Sequence, residues 1–590
     1  MRINLIPERI KHLHIRHIPK RQLIFILSAV VGLAAGLGAV IIKNAVHFLK
    51  ELITTGQAGN FQHYLYFVFP IAGLLIAMVF IKYINRRPVQ HGIPSVLYAI
   101  SRNNGIIHSH NLYSSIISSA LTVGFGGSVG LEGPTVATGG AMGSLAGRLA
   151  KLTYKETILL VGCASAGAMS AIFKAPIAGI VFALEVIMLD LTVFSMIPLL
   201  IASATAALTS YFFLGQNFLY SFQIQEPFRL GDFYLYIILG VFTGLISVYF
   251  IRVFIFISEW FDKIHSWVKR LLIGGGILGI LIFVFPSLYG EGYEVINRAL
   301  HGNYSFLFSG TFYDTLGGNT IFILFFLFLM IIFKSIATTL TFAAGGVGGV
   351  FAPSLFTGVN AGLFLGVLLN HLGIHVSLSN FALVGMAGLI SGVIHAPLTA
   401  IFLIAEITGG NELFMPLMIA STISYATTHI FVKNSVYAVQ LARRGELMTH
   451  HKDKNILLMM NVGDLIETNF SVIHPENKLG DLVKTIKDSH RNIFPVVDSD
   501  GTFKGIVKMD DIRHIMFDAS LYDKTLVKDL MFMPDNIIEY NERMESVARK
   551  FQESGRYNIA VLKDGKYMGF VSRARVFSSY REMLKLFSDE

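Results

Sequence analysis

The stretch Gly126-Gly-Ser-Val-Gly-Leu-Glu-Gly-Pro134 decides the fold because a second version of it occurs later in the chain. It aligns without gaps on Gly345-Gly-Val-Gly-Gly-Val-Phe-Ala-Pro353, at an offset of 219 residues. A second pair of segments, residues 175–185 and 396–406, aligns at an offset of 221. Two motifs that recur at nearly one spacing indicate an internal duplication, with halves of about 20–215 and 230–445. Gly/Pro-interrupted segments at matching places in two halves are typical of transporters with a binding site near the bilayer midplane.

Composition separates a membrane body from a soluble tail. The 590 residues are 53% hydrophobic and 14% charged, whereas soluble domains carry about 25% charged residues. Residues 446–590 hold 44 of the 85 charged side chains. Much of the net charge of +9 lies in the N-terminal arm, residues 1–21. Basic residues before a first spanning segment favour a cytoplasmic N-terminus, so we do not take the charge as a sign of nucleic-acid binding.

Five apolar runs, near 22–43, 64–83, 194–214, 233–257 and 319–343, are long enough to cross about 30 Å of hydrocarbon. The runs between them are shorter and are bounded by Gly or Pro, so we expect that they do not span alone. Non-helical backbone at membrane depth survives only against protein or beside a wet cavity. The sequence therefore predicts an all-α polytopic membrane body with broken and re-entrant helices around a polar pathway.

Glu132 is the most informative single residue of this body. A carboxylate in an uncharged Gly-rich stretch costs about 2.5–3.5 kcal/mol at a helix centre, so such acids usually face a cavity and act there. Pro134 fits the first turn of a helix, and the free amides of that turn favour a negative charge. Glu132 can therefore both plug an anion site and compete with a transported anion. The alternative is a capping glutamate at an interhelical contact.

The second copy has Phe351 where the first has Glu132. The backbone amides of Val350 and Phe351 would offer partial positive charges without a full cation. Such a site suits conduction, because an anion must be able to leave it. The alternative for this segment is close packing of Gly-rich helices.

Four segments resemble the signature motifs of the CLC chloride channels and chloride/proton exchangers: Gly92-Ile-Pro94, Gly130-Leu-Glu-Gly-Pro134, Gly349-Val-Phe-Ala-Pro353 and Ser435-Val-Tyr437. They occur in the family's order, so the resemblance covers about residues 20–445. It implies inverted repeats, a homodimer with one pore per subunit, and a multi-pass protein of the cell membrane with cytoplasmic termini. It also implies that Glu132 is the external gate and that the anion is bound by Gly130, Val350, Phe351 and Tyr437.

Two departures from the family pattern bear on the mechanism. His91 occupies a place where the family often has a serine that contacts the anion. At this place either the imidazole N–H or only the backbone of His91 would bind the anion. The alternative is a histidine at the membrane interface that makes its hydrogen bonds elsewhere. Coupled exchangers commonly carry two adjacent acids where this chain has Glu185-Val186, and the second acid passes protons. Because Val186 cannot bind a proton, we expect a passive channel in which a chloride gradient drives little or no proton movement, with an exchanger as the alternative.

The tail repeats a strand–turn–strand–helix pattern, near 492–507 and again near 557–571, which predicts two copies of one α+β module. It resembles the paired cytosolic CBS modules of many family members. We therefore divide the chain into an arm (1–21), a CLC-type membrane domain (22–445, with repeats about 22–215 and 230–445), a linker (446–459) and CBS modules at 460–522 and 523–590.

A nucleotide site in the tail is only half matched. In CBS modules, the segment that binds the nucleotide commonly has a hydroxyl residue followed by an acid. The first module keeps the acid, Asp511, but has Lys508 in place of the hydroxyl residue. The second keeps the hydroxyl, Ser572, but has Arg575 in place of the acid. We expect adenine nucleotide binding to be weak or absent, and a structural, dimerising tail is the alternative role.

The predicted function is selective transport of chloride and other small anions. A membrane enzyme would need a nucleophile–base pair or a metal cluster in the membrane body, and a cation transporter would need several intramembrane acids; neither pattern is evident. We therefore expect no enzymatic activity, no required cofactor, no metal and no nucleic-acid partner. Cys163 is the single cysteine, so no intramolecular disulfide can form.

Overall fold

Contacts divide the chain into two units, Met1–Leu447 and Met448–Glu590. The computed structural model describes residues 19–55, 62–89, 92–103, 105–187, 193–215, 227–301, 319–409, 411–439, 457 and 460–588. His91, most of the N-terminal arm and most of the predicted linker lie outside the described residues.

The first unit is helical wherever it has regular structure among the described residues. Its helices are α1 (Lys20–Thr55), α2 (Gln62–Val79, continued by a π-helical turn Phe80–Asn85), α3 (Gly92–Arg102), α4 (Asn111–Gly124), α5 (Glu132–Leu149), α6 (Tyr154–Phe173), α7 (Pro176–Phe182, continued by a π-helical turn Ala183–Ile187), α8 (Val193–Leu214), α9 (Phe233–Asp262), α10 (Trp267–Val284), α11 (Tyr293–Leu300), α12 (Thr320–Ala343), α13 (Phe351–His371), α14 (Leu378–Ile394), α15 (Pro397–Thr408) and α16 (Phe414–Phe431).

Within the described residues, eight helices are long and apolar enough to cross a membrane, three more than the sequence predicted. The additional ones are α6, α10 and α13. In α6 and α13, 89% of the most apolar stretch is buried inside the protein. Because these helices contact protein, they tolerate small and polar residues, and those residues interrupt the apolar runs of the sequence. The short apolar helices α3, α7, α14 and α15 confirm the prediction of broken segments.

Glycines at the contacts between α5 and α6 and between α13 and α14, here called glycine seams, allow these helices to pack closely. A Cβ added at Gly139 of α5 would lie 2.6 Å from the carbonyl oxygen of Ala164 on α6. In the second half, a Cβ at Gly358 of α13 would lie 2.5 Å from the carbonyl oxygen of Gly385 on α14. Both distances are far below van der Waals contact, so only glycine fits. The two seams are equivalent parts of the two repeats.

The two repeats are inverted, as the resemblance implied. Gly126 and Gly345 have nearly the same left-handed φ, 99° and 97°, a conformation that glycine adopts without strain. The repeat-related helices α7 and α15 run antiparallel, because the glutamate near the end of each reaches the start of the other. The same chain pattern thus occurs twice in opposite directions.

The tail contains two small sheets with helices packed on them. Its elements are α17 (Leu479–Asp488), β1 (Ile493–Val497), β2 (Phe503–Lys508), α18 (Met509–Ile512), α19 (Val527–Leu530), β3 (Ile538–Glu539), α20 (Met544–Ser554), β4 (Asn558–Lys563), β5 (Lys566–Ser572) and α21 (Arg573–Ser588). β1 pairs antiparallel with β2, and β4 with β5.

The two halves of the tail share one geometry. A parallel bridge joins Ile473 to Val496 in the first half, and the parallel pair Ile538–Val561 occupies the same place in the second. The halves are also joined reciprocally. Glu467 before the first half bridges Phe570 on β5. The residue equivalent to it before the second half, Phe532, bridges β2 in the same antiparallel way.

Candidate functional site

Two helix N-termini meet in the centre of the first unit. α5 begins at Glu132 and α13 begins at Phe351. The loops before them are joined by two backbone hydrogen bonds: the Gly130 amide donates to the Gly349 carbonyl (2.8 Å), and the Gly349 amide donates to the Gly130 carbonyl (2.7 Å). Each helix start carries a partial positive charge. The pairing of the loops therefore concentrates two such charges in one region.

A cavity of about 120 Å³ lies beside this pair of loops and brings together parts of all four motifs. One water molecule takes up about 30 Å³ in the liquid, so the cavity can hold a small hydrated anion. Its lining includes Gly92, Ile93, Pro94, Gly133, Gly349, Val350, Val436 and Tyr437.

Tyr437 is 4% exposed, and its Oη has no hydrogen-bond partner among the described residues. A buried hydroxyl without a partner is unfavourable. Tyr437 lines the cavity, and an anion bound there would accept a hydrogen bond from its hydroxyl.

Three other predicted anion contacts differ in their surroundings. Val350 lines the cavity. Phe351 is fully buried, and its ring packs 5.2 Å from the ring of Phe173. Gly130 has its amide engaged by Gly349. His91 lies outside the described residues.

The Glu132 side chain is fully buried. Its Oε1 accepts a hydrogen bond from the Tyr293 hydroxyl at 2.9 Å. Its Oε2 has no hydrogen-bond partner by geometry among the described residues, and a Cβ added at Gly349 would lie 3.2 Å from it. Glu132 does not line the cavity, but the next residue, Gly133, does. The carboxyl group therefore lies just beyond the cavity wall, against the loop of the other repeat.

A buried lysine lies beside the same loops, which the sequence did not lead us to expect. Lys334 of α12 is fully buried. Its Nζ donates to the Ser128 hydroxyl and to the Gly290 carbonyl, both at 2.9 Å, and lies 4.8 Å from the centre of the Phe356 ring. Lys334 does not line the cavity, so it adds a full positive charge beside the loops rather than within the predicted site. The signal was present, because Lys334 interrupts an otherwise apolar run.

Val186 lies in the π-helical turn after α7 and packs, half-buried, against the core. Its neighbour Glu185 is directed away and binds the start of α15, where its Oε1 accepts from the Leu398 amide at 3.1 Å. Neither side chain lines the cavity described above.

The tail has a cavity of its own, about 700 Å³, lined by Ser572, Glu467, Arg491 and Arg575 among others. The Ser572 hydroxyl donates to Glu467 Oε1, and Arg491 donates to Glu467 Oε2 at 2.6 Å. Asp511, the other half-matched nucleotide contact, does not line this cavity.

The charge state of Glu467 follows from these contacts. Partial burial alone would raise the pKa of Glu467, but the hydrogen bonds from Ser572 and Arg491, with the charge of Arg491, lower the pKa below its ordinary value overall. The carboxylate therefore stays charged and neutralises Arg491 within the cavity.

In the described part of the chain, no group of three or more His, Cys, Asp or Glu side chains could hold a metal ion. In the membrane unit, the joined helix starts and the buried Tyr437 hydroxyl offer partial positive charges of the kind that bind small anions, and the Glu132 carboxyl group lies beside them.

Comparison with known proteins agrees with this geometry. Residues 72–429 match the family described as "Voltage gated chloride channel", and residues 462–518 match the CBS domain. A protein named "Putative chloride channel protein ClcB-like" from Ralstonia nicotianae is 28% identical over 71% of this chain and 96% of its own length. The "H(+)/Cl(-) exchange transporter ClcA" of Vibrio vulnificus is 28% identical over 71% of this chain and 89% of its own.

A solved structure shows the same fold. The crystal structure titled as that of a slow cyanobacterial Cl⁻/H⁺ antiporter superposes with a TM-score of 0.62 at 20% identity, covering 71% of this chain and 97% of that one. Since the family match spans more than half of the residues and the fold agrees, the chain belongs to the voltage-gated chloride channel (CLC) family.

Proposed function

We propose that this chain moves chloride across a cell membrane in exchange for protons, and that Glu132 is the group at which the two ions compete. Membership of the family already makes the chain an anion transporter rather than an enzyme. The observation that carries the finer proposal is the position of the Glu132 carboxyl group, fully buried beside the joined helix starts and just beyond the cavity.

The physical basis is competition for one region of positive potential. A charged Glu132 is attracted to the partial charges at the starts of α5 and α13. Protonation removes that attraction, and an anion can then take the place of the carboxylate. When Glu132 loses its proton again, the carboxylate displaces the anion. One carboxyl group thereby links a proton to an anion.

Two observations, which point in opposite directions, bear on whether the chain is a chloride/proton exchanger or a passive chloride channel. Val186 replaces the second acid of coupled exchangers, which favours a passive channel. The Vibrio vulnificus relative and the cyanobacterial structure carry names of exchange proteins, which favours exchange. We give the relatives more weight, because a single replaced residue can be bypassed by another titratable group or by water.

His395 is our candidate for that inner group. It ends α14 in a left-handed conformation, two residues before α15 begins. Its Nε2 is buried and has no hydrogen-bond partner among the described residues, and its ring lies 5.8 Å from the ring of His429. Glu185, the neighbour of Val186, binds the amide of Leu398 three residues further on. His395 and Val186 are therefore at the same end of the α7–α15 pair.

Purified protein in liposomes tests the proposal. A chloride gradient is imposed, and a pH electrode outside follows proton movement. Exchange predicts proton uptake at a fixed ratio to chloride, abolished by an uncoupler. Chloride movement without protons would overturn exchange and support the passive channel, which is the second candidate because of Val186.

Other features of the proposal come from the family resemblance. We propose a homodimer with one pathway per subunit, both termini in the cytoplasm, and transport of other small anions besides chloride. The tail requires no cofactor in this proposal. Cross-linking and the accessibility of added cysteines at either terminus would test the assembly and the orientation.

A further inference from the structure

The loop Gly290–Tyr293 is held against the Glu132 loop from both of its ends. The Gly290 amide donates to the Gly126 carbonyl at 3.2 Å, and the Gly290 carbonyl accepts from Lys334. At the other end, the Tyr293 hydroxyl donates to Glu132. Glu291 lies between these contacts, so its position relative to the site is fixed by the loop.

Glu291 is an acid that neither the motifs nor the family resemblance pointed to. Its Oε1 is sealed from solvent and has no hydrogen-bond partner within the described ranges. The backbone amide of Leu131 is directed at its carboxyl group, and Glu132 lies within electrostatic range. Two carboxyl groups thus lie close to Leu131. A buried carboxylate is unfavourable unless an opposite charge balances it.

Two lysines supply that balance. Lys43 of α1 is in electrostatic range of both acids, and its Nζ donates to the Ile172 carbonyl at 2.5 Å. Lys334 is in range of Glu291. The titratable groups that face this cluster from the packed elements are Glu132 (α5), Tyr293 (α11), Lys43 (α1), Lys334 (α12), Lys174 after α6, and Tyr437.

The four central charges cancel when both acids are ionised. Protonation of Glu132 then leaves a net charge of +1 beside the anion cavity. An unbalanced positive charge in this buried region attracts an anion. The charge of Glu291 therefore influences how readily Glu132 accepts its proton.

We propose that Glu291 is the partner acid of Glu132: its negative charge, balanced by Lys43 and Lys334, sets the proton concentration at which Glu132 gives way to an anion. This inference rests on the proposed role of Glu132. Glu291 acts through Glu132 and is a positioning residue, so a pH profile is the measurement that distinguishes it from a purely structural one.

The direction of the effect follows from the sign of each charge. A like charge nearby favours the neutral form of an acid, and an opposite charge favours the ionised form. Without the charge of Glu291, Glu132 keeps its own charge down to a lower pH. Without the charge of Lys43, Glu132 accepts a proton at a higher pH.

The experiment measures chloride efflux from liposomes between about pH 4.5 and about pH 9, a range that spans the titration of perturbed carboxyl groups. The wild type is compared with Glu291→Gln and with Glu294→Gln. Glu294 is a matched control because it lies only three residues further on, in the first turn of α11, but is exposed and paired with Arg298. Glu291→Gln is expected to move the midpoint of the flux curve about one unit lower, whereas Glu294→Gln leaves it in place.

An unchanged midpoint in Glu291→Gln would overturn the inference. If Glu291→Gln does not yield folded protein, Lys43→Met decides: a midpoint at higher pH supports the inference, and an unchanged one overturns it. Wild-type flux without any pH dependence would instead refute the proposed role of Glu132, so the two failures can be told apart.

Discussion

Glu185 and Glu406 hold equivalent positions in the two repeats, and each binds the start of the helix that carries the other. Glu185 accepts from the amides of Leu398 (3.1 Å) and Thr399 (2.8 Å), and also from the Thr399 hydroxyl (2.7 Å). Glu406 accepts from the amides of Ile177 (3.0 Å) and Ala178 (2.7 Å). Each carboxylate also meets the partial positive charge of a helix start.

The difference between these two contacts leads to the first prediction. Glu185→Ala removes three hydrogen bonds, whereas Glu406→Ala removes two. We expect Glu185→Ala to be the more destabilising by about 1 kcal/mol, the net value of one hydrogen bond. Thermal unfolding in detergent measures this, with the exposed Glu412→Ala as control. Equal losses in the two variants would show that the Thr399 hydroxyl contributes nothing.

The second prediction concerns the gate. Glu132→Gln keeps the shape of the side chain but cannot ionise, so it no longer competes with the anion at any pH. We expect chloride flux that equals or exceeds the wild-type flux and has lost its pH dependence, together with loss of proton coupling. Flux between about pH 4.5 and about pH 7.5, a range in which carboxyl groups of folded proteins can titrate, provides the measurement. A pH response as large as that of the wild type would exclude Glu132 as the gate.

The third prediction tests the inner proton group. His395→Asn removes the titratable ring, and asparagine tolerates the left-handed φ of 61° at this position. We expect proton movement to fall at least about tenfold while chloride still moves. His429→Asn is the matched comparison, since His429 belongs to the same aromatic cluster. If coupling stays intact in His395→Asn, water or another residue carries the proton.

The fourth prediction is a pH dependence of the tail. Because the pKa of Glu467 is lowered in the folded state, its contacts stabilise the tail above the pKa of the unfolded chain, about 4.3. This stabilisation is lost as the pH falls through the lower, folded value. Glu467→Gln should therefore lower the unfolding temperature at neutral pH but not in strong acid. Glu476→Gln, which removes an exposed acid, serves as control; a loss that is independent of pH would contradict the argument.

The fifth prediction concerns adenine nucleotides. A fragment of residues 455–590 should fold and dimerise, and it should bind ATP, ADP and AMP weakly or not at all. The charge of Arg491 is already taken by Glu467, and Asp511 lies away from the tail cavity. Calorimetry on the fragment and on the full chain decides it, and micromolar binding to either would prove the expectation wrong.

Much of the fold could be predicted because it repeats. The segments around Gly130 and Gly349 and the two Ala-Pro helices recur at nearly one offset, which indicated a duplication, and the strand–turn–strand–helix pattern of the tail also occurs twice. The cavity lining at Val350 and Tyr437 followed from the family resemblance. The helix α10 was missed because Lys269, Arg270 and a glycine run interrupt its hydropathy.

The surroundings of Glu132 could not be predicted in the same way. Lys334 and Tyr293 reach the site from elements far along the chain. Tyr293 donates to a single carboxylate oxygen, and Lys334 donates to a serine hydroxyl and to backbone carbonyls. Such contacts leave no periodic pattern. Glu291 lies between two glycines in a segment with no second copy, so repetition did not single it out. Only the folded arrangement relates these residues to the site.

The reciprocal bridges of the tail have a consequence for its synthesis. The first module leaves the ribosome with Glu467 lacking its partner, since Phe570 lies 103 residues further along the chain. At about 5–20 residues per second, that strand edge stays open for on the order of ten seconds. Residues 462–518, which match the CBS domain, therefore cannot complete their own sheet. The first module therefore completes its native pairing only after β5 of the second module has been made.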